Sequence, residues 1–219
     1  MNKHQREFWA PYIALVGPSN FFTDGIFIQS AHYCGMDISV AQGGEEMAKQ
    51  ILNQVMHKHH CYREIVDQTS INYDDLSLIF GSLVEKPFFD SELVKLIESN
   101  KCDVSDDEWW DLVMSIWVRQ ELNSDGDRKR NWAQILTHRG KIASLTADLS
   151  NNFIAYRAGY DDGFSWTLDE NTARWFQNRF KEQFGDIPFL KKEFSREEVV
   201  FYTNARNEQE IVVIPSKYL

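Results

Sequence analysis

Residues 151–169 read NNFIAYRAGYDDGFSWTLD, and residues 170–184 continue ENTARWFQNRFKEQF. Phe153 to Ala158 and Gly163 to Thr167 are short runs of period two bounded by turn residues, the mark of two short strands. The period then changes. Leu168, Ala173, Phe176 and Phe180 share one face of a 3.6-residue repeat, so a helix follows, capped by Thr167 or Asp169. Downstream, Pro188 to Phe194, Val199 to Asn204 and Gln209 to Ile214 read as three further strands, separated by Ser-Arg-Glu and Ala-Arg-Asn turns.

Working back toward the N-terminus, the pattern is mostly helical. Met47, Ile51, Val55, His59, Tyr62 and Val66 recur every three or four residues and predict a helix over Glu45 to Val66, after the Gly43-Gly44 break. Ser91 to Glu98 predicts a second. A third begins at Ser105, an N-cap followed by three acidic residues, and runs through Trp109-Trp110 to Leu122. Asn123 to Gly126 is a polar turn, and Trp132 to Leu149 predicts a fourth helix. Tyr12 to Val16 and Gly25 to Gln29 fit either short strands or buried helical turns. The expected fold class is therefore α+β, a helical region over 1–150 followed by a small mixed or antiparallel sheet over 151–219. No internal repeat is visible.

Composition fits a globular chain. Of 219 residues 43% are apolar and 14% aromatic, enough for a sizeable core rather than a disordered chain. No stretch reaches the roughly 18 apolar residues of a membrane span, and no secretory signal is visible at the start. Three scattered cysteines read as free thiols, which with the missing signal points to the cytoplasm. The net charge of −10 is uneven. Residues 1–127 carry 9 Lys and Arg against 21 Asp and Glu, while residues 128–219 carry 14 against 12. An acidic front disfavours diffuse binding to nucleic acid or anionic lipid; the C-terminal part carries no such handicap.

Three motifs of the last third carry chemistry. Tyr156-Arg157-Ala158-Gly159 puts an arginine on the first strand, and Phe164-Ser165-Trp166-Thr167 puts hydroxyls on the second. Glu208-Gln209-Glu210 leads into the apolar strand Ile211 to Ile214. In this order the motifs resemble the Arg–Ser–Glu class of mono-ADP-ribosyltransferases, which includes bacterial toxins and phage enzymes. The likeness spans residues 153 to 214. It departs from the class in the short Arg157–Ser165 interval, in the bulky Trp166, and in a strand-rich piece so small that helices over Trp109–Leu122 and Trp132–Leu149 are expected to complete the NAD cleft.

The resemblance implies NAD as co-substrate and transfer of one ADP-ribose to a macromolecular acceptor, a protein arginine or a nucleic-acid base. Loss of nicotinamide passes through an oxocarbenium-like state that a carboxylate stabilises. Glu210 would hold the ribose 2′-hydroxyl and face that charge. Glu208, pointing the same way on an extended chain, would orient or deprotonate the nucleophile. Arg157 would grip the diphosphate, Ser165 would brace Glu210, and Tyr156, Trp166 and Thr167 would line the cofactor site, with Trp166 or Tyr202 stacking on nicotinamide. Small enzymes of this kind act as toxins or effectors in bacterial–phage conflict, so an inhibitor, antitoxin or chaperone is an expected partner of the helical front.

Taken singly, each motif also fits a plain structural role: a strand arginine, an N-cap beside a packed indole, a solvated acidic turn. Two rival functions follow, an NAD glycohydrolase using the same site and a catalytically silent module binding a partner through Trp109, Trp110, Trp117 and Trp132. The His57, His59, His60 and Cys61 group diverges around its helix, so no metal site is expected. Gly17-Pro18-Ser19-Asn20 lacks the lysine of a phosphate loop, and Arg128-Lys129-Arg130 is a short basic turn.

Overall fold

The structure is a computed structural model that describes residues 1–40, 44–120 and 126–219. Its fold is α+β, with N-terminal helices and two antiparallel sheets. The chain divides into two compact units, Met1–Asn123 and Ser124–Leu219. This division falls ahead of the boundary expected near residue 150. The helix around Trp132 belongs with the strands, whereas Trp109 and Trp110 belong with the first unit.

In the first unit, helix α1 (Lys3–Val16) starts with a capping box between Asn2 and Gln5 and carries Pro11 in its interior. It therefore resolves the ambiguous Tyr12 to Val16 stretch as helix. Strands β1 (Phe22–Thr23), β2 (Phe27–Ser30) and β3 (Tyr33–Met36) form a three-stranded meander. A buried carboxylate ties α1 to this sheet. Asp37, 1% exposed, accepts from Gln5 Nε2 at 2.8 Å, Trp9 Nε1 at 2.8 Å and Ser39 Oγ at 2.6 Å. With the Ser39 amide at 2.9 Å, four donors satisfy a charge that would otherwise be costly to bury.

Helix α2 (Glu45–Val66) has the expected bounds, with Gly44 at φ 90° before it; Gly43 lies outside the described residues. Its buried residues are Ala48, Leu52, Val55, Tyr62 and Ile65; Val55 and Tyr62 belong to the expected stripe, whereas Met47 is 54% exposed. Helices α3 (Tyr73–Leu78), α4 (Phe89–Ser99) and α5 (Asp106–Trp117) complete the unit. Ser105 and Glu108 form the capping box of α5, and its buried side includes Trp109, Trp110, Val113 and Trp117. The helix ends at Trp117, with Val118 and Arg119 in a turn, short of the expected Leu122; Glu121 and Leu122 lie outside the described residues.

The second unit opens with α6 (Gly126–Thr137), which starts earlier and stops sooner than the helix expected over Trp132 to Leu149. The Thr137 hydroxyl donates back to the Ala133 carbonyl at 2.8 Å, the local bond a threonine makes in a last helical turn. The chain then passes Gly140 into a short 3-10 turn at Ala143–Thr146. Strands β4 (Asn152–Ala158), β5 (Ser165–Thr167), β6 (Phe189–Ser195), β7 (Val199–Thr203) and β8 (Glu210–Val213) make a five-stranded sheet in the order β6-β4-β5-β8-β7. Helix α7 (Glu170–Phe184) is capped by Asp169, whose carboxylate accepts from the amides of Asn171 and Thr172.

The pleat gives this sheet two distinct faces. Ala155, Trp166, Phe194, Ile211 and Val213 lie on one and join Leu149 and Val199 in a buried hydrophobic cluster. Tyr156, Thr167, Glu210 and Thr203 stand opposite one another across four strands and so share the other face. Helix α7 lies against β4, β5 and β6. Arg174 of α7 sits 4.4 Å over the ring of Phe189, which is on the Tyr156 face, so α7 covers that side.

Candidate functional site

The three motifs occupy neighbouring strands: Arg157 on β4, Ser165 and Thr167 on β5, Glu210 at the start of β8. Thr167 is the register partner of Glu210, and Ser165 stands one pleat further on, opposite Val212. The residue beside Glu210 is therefore Thr167 rather than Ser165. Its hydroxyl donates to the Glu208 carbonyl and accepts from the Asp169 amide at 3.0 Å. Ser165 shares the face by the period-two rule but not the position expected of a brace.

Glu208 is not on an extended chain. Asn207 and Gln209 have φ of 58° and 46°, left-handed values that break the alternation before β8 begins. The turn is closed by Asn207 N to the Asn204 carbonyl at 3.0 Å and Gln209 N to Asn204 Oδ1 at 3.0 Å. What brings the two carboxylates together is Arg206. Its Nη2 lies 3.0 Å from Glu208 Oε2 and 3.3 Å from Glu210 Oε2. The Glu210 side chain is 4% exposed, so a charged partner is what makes its burial tolerable. Burial raises the Glu208 pKa above the ordinary carboxylate value, with Arg206 opposing the shift and Glu210 reinforcing it. A carboxylate raised in this way accepts a proton more readily near neutral pH.

Arg157 takes a different position from the one expected. Tyr156 faces Thr167 and Glu210, so the pleat turns Arg157 to the opposite side, toward Trp166. At the end of β4 its guanidinium folds into the loop that follows. Nε donates to the Tyr160 carbonyl at 2.8 Å and Nη1 to the Ser165 carbonyl. The space it fills exists because residue 163 is glycine: a Cβ there would fall 1.9 Å from Arg157 Cζ. Burial lowers its pKa, opposed by Asp162 and Glu210. Arg157 is thus a brace between β4, the Tyr160–Gly163 loop and β5. The loop is tied down again at Asp162, which accepts from Lys129 of α6 at 2.8 Å and Lys217 at 2.6 Å. These two cations hold the Asp162 carboxyl down at about 2.

Two aromatic assignments are corrected. Trp166 is 4% exposed, belongs to the buried cluster and meets Phe194 edge-on with centroids 5.0 Å apart. Tyr202, register partner of Ile211, packs against the same cluster. Neither is on the Glu210 face, so neither stacks on a ligand there. Tyr156 is on that face, half-buried, with its ring 6.1 Å from that of Phe189.

Beside the glutamates runs an open groove lined by Asp169, Asn171, Thr172, Trp175 and Phe176 on one side and Arg206, Asn207 and Glu208 on the other. Trp175 is 55% exposed. Sequence reading passed over both Arg206 and Trp175. The one available signal was a cation two and four residues before the acidic pair; that the turn folds it back onto both is a tertiary fact. In the His57 to Cys61 group, Cys61 Sγ lies 3.6 Å from His57 Nε2, while His59 packs edge-on to His32 at 5.1 Å. No match to this chain was found among protein families, curated proteins or solved structures. Among the described residues, no helix is long and apolar enough to cross a membrane.

Proposed function

We propose that this protein is an NAD-dependent mono-ADP-ribosyltransferase that acts on a macromolecular acceptor in the cytoplasm. The observation supporting this reading is the adjacency of β4, β5 and β8, with Glu210 opposite Thr167 and a second carboxylate, Glu208, converging on the same cation. In this reading the nicotinamide ribose lies in the groove between the start of α7 and the Arg206–Glu208 turn. Glu210 accepts from its 2′-hydroxyl and faces the positive charge that grows at the anomeric carbon as nicotinamide leaves. Glu208, held above the usual carboxylate range by burial, takes the proton of the incoming nucleophile. Trp175 offers the exposed ring that Trp166 does not, and stacks on nicotinamide or on the acceptor. Arg157, on the opposite face of the sheet, serves as the brace of the Tyr160–Gly163 loop through Nε and Nη1 rather than as the diphosphate grip.

The test is incubation of the purified chain with labelled NAD and cell lysate, followed by separation into protein, RNA and DNA fractions, with nicotinamide release measured in parallel. Transfer to one fraction, lost by a hundredfold or so in folded Glu210→Gln, is the expected result. Release without labelling of any fraction identifies a glycohydrolase instead. Wild-type activity in Glu210→Gln removes the catalytic assignment.

A further inference from the structure

Among the groups around the glutamates, Arg206 is the one for which the proposed reaction has as yet no use. Its guanidinium sits where an acceptor guanidinium would have to sit, in contact with Glu208 at 3.0 Å and Glu210 at 3.3 Å. It also lines the groove, with a side chain 39% exposed against 4% for Glu210. The backbone that carries it is fixed on both sides. Ala205 N donates to Thr203 Oγ1, Asn204 caps the turn through its carbonyl and side chain, and Thr167 holds the Glu208 carbonyl. A guanidinium tethered this way is present at the carboxylates at a far higher effective concentration than any free acceptor.

We propose that Arg206 is an acceptor for the protein's own activity, ADP-ribosylated in cis; this rests on the transferase reading given above. The guanidinium holds both carboxylates at once, Glu208 at 3.0 Å and Glu210 at 3.3 Å. When the ribose hydroxyl takes Glu210, the longer contact is surrendered and the shorter one keeps the guanidinium on Glu208. An Arg206 nitrogen then forms a bond to the anomeric carbon of the nicotinamide ribose. The bond from that carbon to the pyridinium nitrogen breaks, and nicotinamide departs neutral with its electron pair. One guanidinium proton passes to the Glu208 carboxylate and on to solvent. The modified arginine carries a bulky diphosphate and can no longer bridge Glu208 and Glu210, so the first turnover changes the site that later acceptors meet.

The experiment uses the full-length chain with NAD, alone and with agmatine as a soluble guanidino acceptor, and maps any ADP-ribose by mass spectrometry. The expected product carries one ADP-ribose on Arg206, formed at a rate independent of protein concentration. Arg206→Lys, which keeps the cation in the turn, loses that modification. Mixed with wild type, a Glu210→Gln chain keeps its own Arg206 unmodified, because the reaction is intramolecular. Modification of that Arg206 in the mixture overturns the cis assignment. ADP-ribose on agmatine or on another residue, with Arg206 untouched, overturns this inference and leaves the transferase reading standing. No nicotinamide release under any condition removes the transferase reading and this inference with it.

Discussion

Replacing Gly163 by alanine sets two effects of opposite sign against each other. Gly163 is not in the left-handed region, so alanine is conformationally acceptable and, by restricting the unfolded chain, should stabilise by about 0.4–1 kcal/mol. Against this, the new Cβ would lie 1.9 Å from Arg157 Cζ and Nη2 and 2.4 Å from Nε, where ordinary contact starts at 3.4 Å. The guanidinium is the movable partner, and it must retreat by about 1.5 Å. A retreat of that size breaks hydrogen bonds that now run from Nε to the Tyr160 carbonyl at 2.8 Å and from Nη1 to the Ser165 carbonyl. Losing charge-assisted contacts of this kind costs about 1.5–3 kcal/mol. The loss wins, and Gly163→Ala should destabilise the second unit by about 1–2 kcal/mol, several degrees in Tm for a unit of this size. Urea titration of wild type, Gly163→Ala, Arg157→Ala and the double variant measures it. If the methyl acts through the guanidinium, its penalty vanishes in the Arg157→Ala background, where the alanine turns neutral or stabilising. An undiminished penalty in that background, or a single variant as stable as wild type, refutes the brace.

Three further outcomes follow from the same geometry. Because burial raises the Glu208 pKa in the folded state, its protonated form is favoured there, and that favour is lost as pH rises through the raised value. Glu208→Gln should therefore gain stability relative to wild type at neutral pH and lose that gain in acid, while transfer by wild type rises along an acid limb above the ordinary carboxylate range; a pH-independent difference in denaturation midpoints contradicts this. Asp162 is the reverse case: its pKa is depressed to about 2 by Lys129 and Lys217, so its contribution is present above the ordinary carboxylate value and lost as pH falls through the depressed one. Asp162→Asn should cost about 1 kcal/mol at neutral pH, a modest sum because these cations are partly solvated, and no cost in urea titration at pH 7 removes the tie. Finally, a fragment over residues 151–219 lacks α6 and with it Lys129, whereas one over 124–219 keeps both. The longer fragment should unfold cooperatively and the shorter should not, by circular dichroism on heating; equal behaviour would show that α6 contributes nothing to the second unit.

Much of the fold could be read directly from local sequence. Strand positions followed from period-two runs such as Phe153 to Ala158, and α2 and α5 from their apolar spacing and, for α5, the Ser105 cap, because these signals depend only on neighbours a few residues apart. The order of the three motifs was likewise visible, and with it the candidates Arg157, Ser165, Thr167, Glu208 and Glu210. What sequence could not fix was which side chains meet. Register decided that Thr167, not Ser165, stands beside Glu210, since a slip of one residue exchanges the faces of a strand. The same pleat sent Trp166 into the core and Arg157 to the carbonyls of Tyr160 and Ser165. Left-handed backbone at Asn207 and Gln209 took Glu208 off the strand and folded Arg206 over both carboxylates. The elements were set by short-range pattern; the site was set by pairing partners and a turn conformation that no local period encodes.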